Sequence, residues 1–185
     1  LVNFVQPGQQ FSGLRTIIYG GGPMYVNDLL RALDCFGPKL YQLYGQGESP
    51  MTITGLSKFD HQGDCGPTHL ARLATCGAAR TAVQVRVVDE DGLDLPIGQI
   101  GEIITRNQTV MQGYWNNSEA TTQAIRDGWL WTGDVGYLEE SGYLCLRDRS
   151  KDLIISGGSN IYPREIEEVL LGHASVLECS VIGQL

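Results

Sequence analysis

The stretch from Leu14 to Gly45, LRTIIYGGGPMYVNDLLRALDCFGPKLYQLYG, constrains the fold more than any other part of the chain. Leu14–Pro23 reads as a short buried strand that runs into a glycine turn. Val26, Leu29, Leu30 and Leu33 then recur at helical spacing, and Gly37-Pro38 closes the helix predicted over Tyr25–Gly37. Lys39–Gly45 reads as a second strand. Strand, helix and strand at these lengths predict a parallel α/β unit.

From about Asp60 the texture changes, with frequent Gly and Pro and short β-rich runs in place of helix. Ala82–Gly92 alternates and ends in a turn, Gly98–Arg106 is a further strand, and Tyr137–Leu146 reads as a hairpin across Glu139–Gly142. One helix is predicted over Ser118–Ile125. These elements predict a small antiparallel sheet or barrel. A last change falls at Asp148–Lys151: strand DLIIS, turn GGSN, a helix through YPREIEEVLLG, and a strand in ASVLECSVIG. Pro163 near the helix start, the acids Glu165, Glu167 and Glu168, and the closing Gly172 mark that helix, and Asn160 is positioned to cap it. The fold class expected is α+β, in three segments: an α/β remnant over 1–60, a β-rich subdomain over 61–148, and the start of a further α+β domain over 149–185.

A chain of 185 residues with 42% hydrophobic and 18% charged residues can bury a core of its own. Its formal net charge of −8 argues against a broad nucleic-acid or anionic-membrane surface. A local pocket for a small polyanion stays open, since such pockets are built from backbone N–H groups and one or two cations. The 5 cysteines include no C-x-x-C pair, and the 3 histidines have no metal-ligand spacing. This points to a reducing, cytoplasmic setting. No run reaches the ~18 apolar residues of a membrane span. The sequence begins Leu1-Val2 without Met, as a piece of a longer chain would.

Four clusters could carry chemistry. The glycines of GGGPM let a backbone approach a ligand, or simply make a tight turn. At the end of the second strand, the Tyr44 ring could stack on a base, and the Glu48 carboxylate offers the hard oxygen that Mg²⁺ takes; taken alone, core tyrosine and solvated glutamate is the stronger reading. Asp134, in a Thr-Gly-Asp turn, could accept two hydrogen bonds from ribose hydroxyls or serve as a turn former. Arg149 and Lys151 are cations beside the last change of texture, and Gly157-Gly158 allows a tight backbone turn there.

Taken in order, these clusters resemble the adenylate-forming superfamily of acyl-CoA synthetases, luciferases and the adenylation domains of peptide synthetases. GGGPM resembles the family's Gly-Gly-Ala-Pro turn, and YGQGE its Tyr-Gly-x-Thr-Glu. GEIITRNQTVMQGYWNNSEAT resembles its Gly-Glu-Leu … Gly-Tyr segment, while GWLWTGD and DRSKDLIISGGSNIYPREIE match closely. The resemblance implies that Gly21, Gly22, Pro23 and the Tyr44 ring enclose adenine, with Gln42 at its amino group and Gly45 and Gly47 in the same nucleotide pocket. It implies that Glu48 reaches Mg²⁺, that Asp134 and Arg149 hold the ribose, and that Lys151 is a hinge about which a small C-terminal domain turns between two half-reactions. Gly157, Gly158, Ser159 and Asn160 would line the pantetheine tunnel. The implied activity is adenylation of a carboxylic acid by ATP, followed by transfer of the acyl group from AMP to CoA. Within the superfamily, SGGSNIYPREIEEVL resembles the CoA ligases.

The sequence departs from the family at Gly47, which stands where Thr or Ser is usual and removes a hydroxyl that contacts phosphate. The family's phosphate loop and its C-terminal catalytic lysine have no counterpart in the sequence. The resemblance therefore implies an internal fragment of an acyl-CoA synthetase, inactive alone and prone to self-association through an exposed sheet edge. Two rival readings are a non-catalytic nucleotide-binding or scaffold relative, and an adenylation domain that passes the acyl group to a carrier protein.

Overall fold

The computed structural model describes residues 2–5, 9, 11–157, 159–173 and 175–183. The chain forms two compact units that interleave in sequence: residues 1–84 with 107–111 and 142–144, and residues 85–106 with 112–141 and 145–185.

The first unit is built on β1 (Ile17–Gly20), α1 (Val26–Phe36), β2 (Leu40–Gln46), β3 (Ser49–Leu56), α2 (Pro67–Leu73) and β4 (Ala78–Ala79). Its sheet order is β1-β2-β3-β4; β1 and β2 run parallel, and the other pairs are antiparallel. Leu29 and Ala32 of α1 are buried with Leu40, Leu56 and Leu73, and Ile17, Leu33 and Phe36 pack on them. Spacings of three and four residues put Leu29, Ala32, Leu33 and Phe36 on one stripe, which is why this helix was legible. It ends where the Gly37 amide bonds the Leu33 carbonyl at 2.8 Å. Two elements differ from expectation. β3 forms despite Pro50, with a bulge opposite Tyr44–Gln46. α2 appears inside the region read as β-rich. Its seven residues give too few turns for a period to emerge, and one of its two buried positions is His69.

The second unit holds β5 (Gln84–Val88), β6 (Gly101–Arg106), α3 (Ser118–Ala124), β7 (Ile125–Arg126), β8 (Trp129–Leu138) and β9 (Leu144–Arg149). β10 (Ile154–Ser156), β11 (Ser159–Ile161) and α4 (Pro163–Leu171) follow. A curled antiparallel half-barrel sheet runs β5-β6-β8-β7, with β9 also paired to β8. Ile103, Ile104 and Leu130 of this sheet are buried. Arg86 and Arg106 lie over the Trp129 ring at 5.0 and 4.6 Å, and Arg126 lies over Trp131 at 4.2 Å. Asn117 caps α3 by accepting the Ala120 amide at 3.0 Å. β10 and α4 form where the sequence placed a strand and a helix, and β10 pairs with β11 as a hairpin.

Two expectations about this last segment fail. Asn160 does not cap α4: it sits in the ladder opposite Ile155, and the residue before the helix is Tyr162, whose side chain makes no cap. Residues 175–183 form no strand and pair with none of the described strands. The Val181 amide instead donates to the Glu167 carboxylate at 3.0 Å. Among the described residues no helix is long and apolar enough to cross a membrane.

Candidate nucleotide site

The site residues expected from the sequence are distributed over both units. In the first, parallel pairing sets Gly20 beside Leu43, so the glycine turn leaves the carboxyl end of β1 next to Tyr44, near the carboxyl end of β2. Ligands bind at that end in open α/β sheets. Gly21, Gly22 and Pro23 are exposed, and a Cβ at either glycine would meet nothing within 4 Å. Tyr44 is 8% exposed. Gln42 lies two residues earlier, hence on the same face of β2, and its Oε1 is buried without a hydrogen-bond partner. An orphaned acceptor of this kind costs about 1–3 kcal/mol, and a ligand amino group would satisfy it.

Two glycines of different character stand at the β2–β3 turn, Gly45 at the end of β2 and Gly47 in the turn itself. A Cβ on Gly45 would run into the Met51 amide and the Ser49 carbonyl, so the bulge needs glycine there. Gly47 is exposed, with open space around it. Glu48 is half-buried, and its carbonyl accepts the Met111 amide at 2.8 Å, which fixes its backbone. No cluster of three His, Cys, Asp or Glu side chains suited to a metal occurs among the described residues. A single carboxylate suits Mg²⁺, which keeps waters and takes phosphate oxygens for its other positions.

Behind the glycine turn lies a buried polar cluster that the sequence did not reveal. The Tyr19 hydroxyl is 2.8 Å from His61 Nε2, and His61 Nδ1 is 2.6 Å from the Ser57 carbonyl. A carbonyl can only accept, so Nδ1 carries the proton and Nε2 accepts from tyrosine. Burial holds the His61 pKa below its ordinary value and pushes that of Tyr19 up. Burial also raises the Asp60 carboxyl, but hydrogen bonds from Ser57 and Tyr143 outweigh it and leave a net lowering.

In the second unit the structure brings Asp134 and Arg149 together, with Arg149 Nε 3.2 Å from Asp134 Oδ1. The aspartate side chain is 9% exposed and the arginine 53%. Leu130, Thr132, Asp134 and Gly136 alternate onto the buried face of β8, so a carboxylate stands in a row otherwise free of charge. The strand bulges there: Thr132, Gly133 and Asp134 lie opposite the single residue Ile103 of β6. Side chains take up the displaced backbone groups. The Gly133 amide donates to Glu102 Oε1 at 3.0 Å, the Asp134 amide to Thr132 Oγ at 3.1 Å, and the Thr132 hydroxyl to the Ile103 carbonyl at 2.7 Å. Sequence reasoning passed over Glu102 and Thr132; a bulge has no periodicity to announce it. Lys151 is exposed in a turn of 3-10 helix over Ser150–Asp152, and Gly157 is exposed at the turn of the β10–β11 hairpin. Gly158 lies outside the described residues. Arg147 pairs with Glu165 of α4. Burial pushes the Cys145 thiol up to about 11, so it is not a thiolate nucleophile at neutral pH.

A mixed sheet and a curled antiparallel half-barrel are folds that adenylate-forming enzymes contain. The family model described as AMP-binding enzyme matches residues 2–115, and the chain belongs to that family. It is 37% identical over 175 residues to a medium/long-chain-fatty-acid–CoA ligase of Mycobacterium tuberculosis, covering 95% of this chain and 29% of that protein. It is 42% identical over 172 residues to a 2-succinylbenzoate–CoA ligase of Bacillus mycoides, covering 93% and 34%. Among solved structures it is similar to an amide bond synthetase from Marinactinospora thermotolerans (TM-score 0.86, 35% identity, 96% of this chain and 35% of that one). It is also similar to o-succinylbenzoate CoA synthetase from Bacillus subtilis in complex with its acyl-adenylate intermediate (TM-score 0.83, 34% identity, 96% and 34%). The chain thus spans about a third of the length of these relatives.

Proposed function

We propose that this chain is part of an AMP-forming acyl-CoA synthetase that activates a medium, long or aromatic carboxylic acid with ATP and passes the acyl group to CoA. In this reading residues 1–60 belong to the large domain, 61–148 to its β-rich subdomain and 149–185 to the start of the small one. The observation that carries the proposal is the buried Asp134 held against Arg149. A carboxylate is expensive to bury, and one placed where it can accept from two vicinal hydroxyls suits a ribose. Gln42 Oε1 would take the adenine amino group, the Tyr44 ring would stack on the base, and Glu48 would hold Mg²⁺, whose contribution is to offset phosphate charge.

The reaction divides into two displacements. A carboxylate oxygen of the acid attacks the α-phosphorus of ATP, the α–β anhydride bond breaks, and pyrophosphate leaves with the electron pair. The CoA sulfur then attacks the acyl carbon, the bond to AMP breaks, and the thiol proton passes to solvent. Neither step needs a covalent enzyme intermediate, so positioning and charge stabilisation supply the catalysis. Turning about Lys151 would let one pocket serve both steps while excluding water.

Gly47 favours a second reading, a nucleotide-binding relative without catalysis, because the phosphate side of the pocket lacks a hydroxyl there. ATP–pyrophosphate exchange by the full-length protein, across a panel of fatty and aromatic acids, separates the two. Acid-dependent exchange is expected; no exchange with any acid would leave only the non-catalytic reading.

A further inference from the structure

In a regular ladder alternate amides of β8 would face carbonyls of β6, and the rest would face the strands on its other side. The three-against-one bulge takes the Gly133 and Asp134 amides out of that pattern. It also places Gly133 at φ +69, a left-handed conformation that leaves the chain hinged immediately before Asp134. What fixes the hinge is polar: one acceptor comes from β6 and one from β8 itself. Glu102 takes the Gly133 amide at 3.0 Å, and Thr132, anchored on the Ile103 carbonyl at 2.7 Å, takes the Asp134 amide.

We infer that Glu102 is a positioning residue: its carboxylate clamps the bulge at Gly133 and thereby aims Asp134 at the ribose hydroxyls. The inference rests on the proposed ribose role of Asp134. A carboxylate-to-amide bond is charge-assisted and stronger than the ladder bond it replaces. The work asked of it is geometric, because two vicinal hydroxyls are gripped together only by a carboxylate held at one angle. A neutral acceptor of the same length would hold the Gly133 amide as well. A shorter side chain would not reach it.

The test is isothermal titration of the full-length protein with AMP and with 2′,3′-dideoxy-AMP, which lacks both hydroxyls. The wild type binds AMP at least about tenfold more tightly than the dideoxy nucleotide, as hydrogen bonds to a charged group require. Asp134→Ala abolishes that preference. Glu102→Ala lowers it by at least about fivefold while leaving dideoxy-AMP affinity unchanged, and Glu102→Gln restores it. If Glu102→Ala does not fold, Glu102→Asp replaces it under the same criterion. Equal weakening of both nucleotides, or an unchanged preference, would show a fold-only role and overturn the inference. A wild type without preference, or an Asp134→Ala variant that keeps it, would overturn the ribose reading and this inference together, an outcome distinct from failure at Glu102 alone.

Discussion

Restoring a hydroxyl at position 47 is a gain-of-function perturbation that the structure makes unusually clean. Gly47 is exposed, a Cβ there meets nothing within 4 Å, and its φ is not among the left-handed ones. Gly47→Ser therefore introduces neither clash nor backbone strain. Replacing an unstrained glycine also narrows the unfolded ensemble, which favours the fold by about 0.4–1 kcal/mol. If the turn faces the nucleotide phosphates, the new hydroxyl adds one hydrogen bond worth about 0.5–1.5 kcal/mol, or roughly a 2- to 12-fold gain in ATP affinity. Isothermal titration of the wild type and Gly47→Ser with ATP measures the gain directly. Titration with adenosine supplies the control, since it carries no phosphate and should bind both proteins alike. A serine variant that melts lower than wild type would refute the claim of open space. Equal affinity for ATP in both proteins, or a gain shared by adenosine, would refute the placement of residue 47 beside phosphate.

Three further outcomes follow from the packing of the first unit. Leu29→Ala removes a side chain with 0% exposure from the centre of the core and should cost about 2–5 kcal/mol in urea denaturation. Gly45→Ala forces a Cβ against the Met51 amide and the Ser49 carbonyl and should cost about 1–3 kcal/mol; a neutral result would mean that the bulge is not constrained. His61, enclosed by Tyr19 and Ser57 with Asp60 and His69 nearby, has a folded pKa below its ordinary value of 6.5. Its contribution to stability is therefore present above that value and lost as pH falls from there through the folded pKa. Wild-type denaturation midpoints should drop between pH ~7.5 and ~5.5, and His61→Gln should flatten that part of the profile.

The elements legible in the sequence were those with a repeating pattern or strong terminal residues. β1, α1 and β2 came from apolar spacing closed by Gly37-Pro38, and α4 from Pro163 and its first-turn acid. α2 escaped because seven residues with a buried histidine carry no period, and β3 because Pro50 and a bulge interrupt its alternation. The strand read into 174–183 shows the reverse error: residues 175–183 carry apolar side chains yet pair in no ladder, and Leu177 and Ile182 stay exposed. The Asp134–Arg149 pair was indicated by motif order, whereas the part of Glu102 depends on a bulge that three-dimensional pairing alone discloses. The Tyr19–His61–Ser57 chain was hidden for the same reason, since it joins residues 42 positions apart.

The claim on which the rest depends is that the carboxylate of Asp134, buried in the half-barrel sheet and paired to Arg149, grips the ribose of an adenine nucleotide. A crystal structure of the full-length protein grown with AMP tests it most directly. The account predicts both ribose hydroxyls within hydrogen-bond distance of the Asp134 carboxylate, with Arg149 alongside. AMP bound elsewhere, or with its ribose turned away from Asp134, would contradict it.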